Sequence, residues 1–228
     1  MEQSSDFGVW IVVPAYNEEQ VVHSVVSSLL QRYENVVVVD DNSQDHTYDV
    51  LTDLKLHLLR HPTNLGQGAA LQTGISYALQ RGASVIVTFD SDGQHAVGDI
   101  EVLCRALAGG ADVALGSRFL GATVRMPLLR KIVLKIAILY QRLTSGLKLT
   151  DAHCGLRAMS AKAAKSILIR ENRMAHASEL IEQFAKLNLR IEEVPVTITY
   201  SEYSLVKGQS SLNAINIILQ LLMNRFRK

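Results

Sequence analysis

The chain has 228 residues, 48% of them hydrophobic and 20% charged, a composition that excludes intrinsic disorder and fibrous repeats and fits a packed domain. Only Cys104 and Cys154 are present, with no CxxC or CxxH spacing, so a disulfide scaffold, a zinc module and an iron–sulfur site are not expected, and the compartment reads as reducing. The net charge of +1 conceals an asymmetry, because residues 1–112 carry 5 Lys+Arg against 15 Asp+Glu and residues 113–228 carry 18 against 7. One half is expected to hold a cation and the other to face an anionic partner or surface.

The amino terminus MEQSSDF lacks the basic and then apolar pattern of a secretory signal, so a cytoplasmic protein is expected. No stretch reaches the ~20 mainly apolar residues of a spanning helix. Short, mostly β-branched runs at Val9–Val13, Val36–Val39, Leu56–Leu59, Val85–Phe89 and Val113–Leu115 read as strands buried on both faces of a parallel sheet. Between them, Glu18–Tyr33, Gly68–Gln80 and Val97–Leu107 have helical periodicity. Alternation of this kind implies an α/β protein with a mainly parallel open sheet flanked by helices, whose ligands lie beyond the carboxyl ends of the strands. From Val113 to Thr150 there are seven basic residues and no acidic one, with helix expected over about Leu128–Leu143. A helix over Ala177–Leu187, a strand over Ile191–Tyr200 and a last amphipathic helix over Leu212–Met223, ending in Arg225, Arg227 and Lys228, complete the reading. The last helix suits either a membrane interface or a place against the sheet.

Polar residues follow three of the strands. Asp90 and Asp92 stand two apart after Val85–Phe89, so an extended backbone aims both the same way, and a turn at Gly93 brings Gln94 beside them. Two carboxylates and an amide oxygen suit Mg²⁺ or Mn²⁺, which leaves its other positions to water and phosphates. The plain alternative is a helix-capping turn. Asp40 and Asp41 end the second strand, where acidic residues accept hydrogen bonds from ribose or base, or else only cap a helix.

Taken together, VVPAYNEE at 12–19, VVDDNSQDHT at 38–47, NLGQGAALQTG at 64–74, FDSDGQH at 89–95, GSRFLG at 116–121, DAHCGLRAM at 151–159 and KGQSSL at 207–212 stand in the order found in family 2 glycosyltransferases. The chain most resembles their polyprenyl-phosphate glycosyltransferase branch, and the resemblance covers nearly all of it. It implies a single GT-A domain over 1–228, with a nucleotide-sugar half and an acceptor or membrane-facing half, and sugar transfer from a UDP- or GDP-sugar to a polyprenyl phosphate with inversion. It also implies that Pro14, Tyr16, Glu18, Asp40, Asp41, Asp90 and Ser91 hold the donor nucleotide. Asp90, Asp92 and Gln94 would hold the metal, and Arg118, with Arg130 or Lys131, the acceptor phosphate. The late basic residue of the family falls at Ser204, so Lys207 is its substitute here, and Gln67 stands where relatives often have Lys.

The basic half agrees with that acceptor on physical grounds. A phosphate monoester is already anionic at neutral pH and needs orientation by Arg or Lys more than a general base. A sugar hydroxyl would need the base, for which Asp151 and then Glu179 are the candidates, with pairing of Asp151 to Arg157 as the plain alternative. A docking surface of Arg, Lys and aliphatic residues fits lipid better than nucleic acid, so a peripheral place on the cytoplasmic face of a membrane is expected, with a small membrane-protein partner as a further expectation. Three rivals remain: a saccharide-hydroxyl acceptor, a non-catalytic scaffold, and a haloacid-dehalogenase-like phosphatase, which shares D-x-D-G but not the other motifs.

Overall fold

In the computed structural model, which describes residues 8–201 and 203, seven strands form one sheet in the order β3-β2-β1-β4-β6-β5-β7. They are β1 (Val9–Ala15), β2 (Asn35–Asp40), β3 (His57–Arg60), β4 (Val85–Thr88), β5 (Val113–Val124), β6 (Arg157–Ser160) and β7 (Ile191–Thr199). Six run one way. The exception is β6, antiparallel to both β4 and β5, which makes the sheet mixed.

The helices are α1 (Val22–Leu30), α2 (Gln67–Gln80), α3 (Asp99–Ala108), α4 (Leu128–Ser145), α5 (Ala161–Ser166) and α6 (His176–Lys186). Alternate residues of the central strands enter opposite cores, as the two-residue period of a strand requires: Ile11, Val13, Val36 and Val38 pack on one face, Trp10, Val12, Val37 and Val39 on the other. The four consecutive valines of β2 are all fully buried, which explains an apolar run without alternation.

The expected helix over Glu18–Tyr33 is shorter at both ends, because the Glu18 carbonyl closes a turn onto Val21 and Val22, and that of Leu29 closes one onto Arg32 and Tyr33. The strand expected at Val113–Leu115 continues to Val124 through an irregularity in which four residues, Arg118 to Gly121, stand opposite Val196 alone. Such an excursion re-aims the side chains it carries. Gly121 permits it, since a Cβ there would lie 2.2 Å from the Val196 carbonyl oxygen. Two elements, β6 and α5, were not expected. The four-residue β6 carries a charged residue and no apolar run, and the Ser160 side chain ends it by accepting from the Ala163 N–H to cap α5. The expected helix over Leu212–Met223 and the KGQSSL motif lie outside the described residues.

Candidate active site

Strand order reverses between β1 and β4, and a cleft of about 560 Å³ opens beyond their carboxyl ends, where ligands bind in open α/β sheets. The Ser91 hydroxyl donates to the Pro14 carbonyl, tying the two strand ends together. Pro14, Tyr16, Glu18, Asp41, Asp90, Ser91, Asp92, Gln94, Arg118 and Arg130 all line the cleft, so most of the residues read from the sequence meet there.

Three do not. Asp40 is fully buried, its carboxylate 3.0 Å from Arg60 Nε and accepting from the Ser43 N–H, and it secures the β2–β3 edge instead of facing the cleft. Lys131 is exposed and is not among the residues of the cleft, whereas Arg130 lines it. Asp151 is 2% exposed and accepts from Arg118 Nε and the Arg118 N–H. Its partner is therefore Arg118, not Arg157. Lys207 lies outside the described residues.

The D-x-D pair is tightly framed. Asp90 accepts from Gln67 Nε2 (3.1 Å) and contacts His95 Nε2 (3.2 Å). Burial opposes its charge, but the His95 hydrogen bond first, and then the charges of His95 and Arg157, hold its carboxyl below the usual range. Asp92 goes the other way. Burial first, then the neighbouring Asp90 charge, push it up to about 6. A pair in which one carboxylate is held up by burial and by its neighbour is short of positive charge, and two hard oxygen donors facing one cleft fit a divalent cation. Gly93, at φ +74°, makes the expected turn, but the Gln94 amide nitrogen donates to Asp92 Oδ2 (2.6 Å), so Gln94 supports Asp92 here. Among the described residues, no group of three or more His, Cys, Asp or Glu side chains is placed to hold a metal.

On the other side, Arg118 is set from three directions. Asp151 takes its Nε, Tyr200 Oη lies 3.0 Å from its Nη1, and the bulged strand fixes its backbone. Burial works against the Arg118 charge, yet the Asp151 carboxylate beside it keeps it firmly protonated. The Tyr200 ring also lies under the Arg130 guanidinium, 4.8 Å from its centroid. Glu193 accepts from the Thr150 and Asp151 N–H groups and so holds the loop that carries Asp151. Glu179 accepts from the Arg170 and Glu171 N–H groups, a structural assignment for the second candidate base.

Gln67, singled out in the sequence where relatives often have Lys, lines the cleft from α2; sequence reasoning missed the wall made by β6 and α6, where His153, Gly155, Arg157, Arg173 and His176 join the lining. Gly155 is required there, because a Cβ would fall 1.9 Å from Asp90 Oδ2. His176 Nδ1 lies 2.7 Å from the Arg173 carbonyl, an arrangement that puts the proton on Nδ1 and leaves Nε2 as an acceptor. Burial, with the charge of Arg157 adding to it, lowers the His176 pKa to about 4, so it is neutral at pH 7. The one available signal was Arg157 itself, the single Lys, Arg, Asp or Glu between Asp151 and Lys162.

The Glycosyl transferase family 2 model matches residues 10–168, and the chain belongs to that family of transferases. Among its relatives, the UDP-N-acetylglucosamine–dolichyl-phosphate N-acetylglucosaminyltransferase of Methanococcus voltae is 33% identical, the match covering 96% of this chain and 97% of that one. The polyprenol monophosphomannose synthase of Mycolicibacterium smegmatis is 32% identical over 91% and 82%. Glucosyl-3-phosphoglycerate synthase from Mycobacterium tuberculosis, solved with Mn²⁺ and UDP-glucose, superposes with a TM-score of 0.72 at 18% identity, covering 94% of this chain and 78% of that one. The fold is thus of the GT-A type.

Proposed function

We propose that the protein transfers a hexose or N-acetylhexosamine from a UDP- or GDP-sugar to a polyprenyl phosphate, with inversion, at a membrane surface. The relatives named above for dolichyl-phosphate and polyprenol substrates support the acceptor. The observation that carries the reading is the pair of arginines, Arg118 and Arg130, both organised by Tyr200 at the cleft that also holds Asp90 and Asp92.

In this reading Arg118 and Arg130 orient the acceptor phosphate, whose oxygen is already anionic and attacks the anomeric carbon without a base. Of the two carboxylates that would serve a hydroxyl acceptor, Asp151 is committed to Arg118 and Glu179 to backbone amides. Both engagements favour a phosphate nucleophile. Asp90 and Asp92 would hold Mg²⁺ or Mn²⁺, which when bound supplies positive charge to the departing nucleoside diphosphate. Mn²⁺ and Mg²⁺ accompany UDP in structures of the mycobacterial synthase, and this supports the choice of metal. Pro14, Tyr16 and Glu18 on the β1 side would bound the nucleotide, and Asp41 shapes its wall by accepting from the Leu65 and Gly66 N–H groups.

The membrane enters through α4. Leu128, Ile132, Ile136, Leu139 and Leu143 recur at spacings of three and four, all exposed, Leu128 and Leu143 at 74%, with Lys131 and Lys135 alongside. An exposed apolar stripe with basic flanks suits the headgroup region of an anionic bilayer. Arg130 on the same helix lines the cleft, so docking there would bring a lipid-linked phosphate to the arginines. No helix among the described residues is long and apolar enough to cross a membrane.

The test is incubation with Mn²⁺ or Mg²⁺, membranes containing polyprenyl phosphate and a panel of radiolabelled UDP- and GDP-sugars, followed by extraction into organic solvent. Label in the lipid phase that disappears with Asp92→Ala is the expected result. Metal-dependent nucleotide release on saccharides alone would replace the acceptor proposed here.

A further inference from the structure

Arg157 occupies an unusual position. It sits on β6 in the middle of the sheet, opposite Thr88 of β4 and Leu115 of β5, and it is 3% exposed while lining the cleft. Among the described residues its guanidinium forms neither an ion pair nor a hydrogen bond. Asp90 and Asp151 act on it only from a distance, and burial presses its pKa below the usual value despite them. A guanidinium taken out of water without a partner is costly, and such groups persist where an anion arrives to pair with them. Gly155, just before β6, is bare because a Cβ there would meet Asp90, so the segment that leads into Arg157 lies against the D-x-D pair, and Asp90, Gly155 and Arg157 line the cleft together.

The surroundings share its polarity. The start of α6 contributes His176 and Ala177 to the same wall, and Arg173 stands just before it. A helix of this length directs its positive end toward that wall. His153 and His176 are both neutral, each lowered to about 4 by burial first, and so add no charge of their own. Glu179, the acidic residue of the first turn, is turned to the Arg170 and Glu171 amides.

We propose that Arg157, with Arg173 and the first turn of α6, forms a phosphoryl-binding subsite on the β6–α6 wall of the cleft, separate from the Arg118–Arg130 pair. The inference rests on the transferase reading above, which brings two phosphoryl groups to this cleft: the β-phosphate of the donor and the phosphate of the lipid. Its guanidinium offers two parallel N–H donors to either. In the first case Arg157 receives charge developing on the leaving diphosphate; in the second it joins in holding the nucleophile.

Calorimetric titration of the full-length protein with UDP against UMP, and GDP against GMP, in Mn²⁺ separates the two sources when combined with the KM for polyprenyl phosphate in detergent. If the subsite takes the β-phosphate, Arg157→Gln reduces the diphosphate-over-monophosphate preference at least tenfold and leaves monophosphate affinity unchanged. If it takes the lipid phosphate, that preference is intact and the lipid KM rises at least tenfold. Equal weakening of mono- and diphosphate, or no change in either measurement, would overturn the inference. Should Arg157→Gln fail to fold, Arg157→Lys is measured the same way: retained charge without the planar fork lowers one of the two readouts several-fold, and unchanged values sink the idea. A wild-type protein that binds no nucleotide in Mn²⁺ would remove the transferase reading and the subsite together, whereas intact wild-type binding with an indifferent variant removes the subsite alone.

Discussion

Tyr200 shows how one buried side chain governs two cations. It is fully buried at the end of β7, its hydroxyl meets Arg118 and its ring carries Arg130. Tyr200→Phe keeps the ring and deletes the hydroxyl. A lost hydrogen bond to a charged group costs about 1.5–3 kcal/mol, so the KM for the lipid phosphate is expected to rise by about tenfold or more, with nucleotide affinity unchanged; an equal loss of both in a steady-state assay would assign Tyr200 a purely structural part. Gly155 makes a sharper case, because its missing Cβ is the space taken by Asp90. Gly155→Ala is expected to displace that carboxylate and to weaken Mn²⁺-dependent nucleotide binding about tenfold or more while the fold persists, as read by titration beside a circular dichroism spectrum. Asp92, pushed up to about 6 by burial and by Asp90, is charged at pH 7 at a cost to the folded state. Its folded pKa lies above the ordinary carboxylate value of 3.8, so that cost is absent below it, grows as pH rises through the window up to about 6, and is complete above that. Asp92→Asn is therefore expected to raise the melting temperature of metal-free protein at pH 7 and to abolish the further rise caused by Mn²⁺.

At the scale of elements, the sequence was most readable where a residue's environment is uniform along a run. The valines of β2 and the stripe of α1 follow from periodicity alone. The polar strand ends after β1, β2 and β4 were placed because the fold class dictates where ligands lie. The β6–α6 wall was not legible, since Gly155 and Arg157 come from one segment and His176 from another, and they meet only through the antiparallel insertion of β6. Asp40 and Asp41 show the limit in miniature: adjacent residues at a strand end point to opposite sides, and only pairing with Arg60 reveals which one turns away. For α4 the two levels agree, and its stripe carries a prediction of its own. Replacing Leu128, Leu139 and Leu143 with Gln is expected to reduce sedimentation with anionic vesicles at least tenfold and to leave turnover on a short-chain, detergent-dispersed acceptor nearly intact. Unchanged sedimentation would mean that α4 docks on something other than lipid.

At the scale of the molecule, the acidic and basic halves of the sequence are not separable bodies. β4 of the first half pairs with β6 of the second, the Thr199 N–H donates to the Gln94 carbonyl, and the Thr197 N–H donates to Asp99. Asp90 is framed by Gly155, and Arg157 lies opposite Thr88, so the cleft exists only where the halves share a sheet. One cooperative unit is the expectation, because neither core can close without strands from both sides of residue 112. The single tryptophan, Trp10 of β1, is buried in the core that also holds Met159, Leu180 and Phe184. Its fluorescence reports from the first half on packing supplied by the second. Thermal melts followed by Trp10 fluorescence and by far-ultraviolet circular dichroism are expected to coincide in one transition. A fluorescence change preceding the loss of secondary structure would show that the second half detaches first, and would make the charge asymmetry a boundary between folding units.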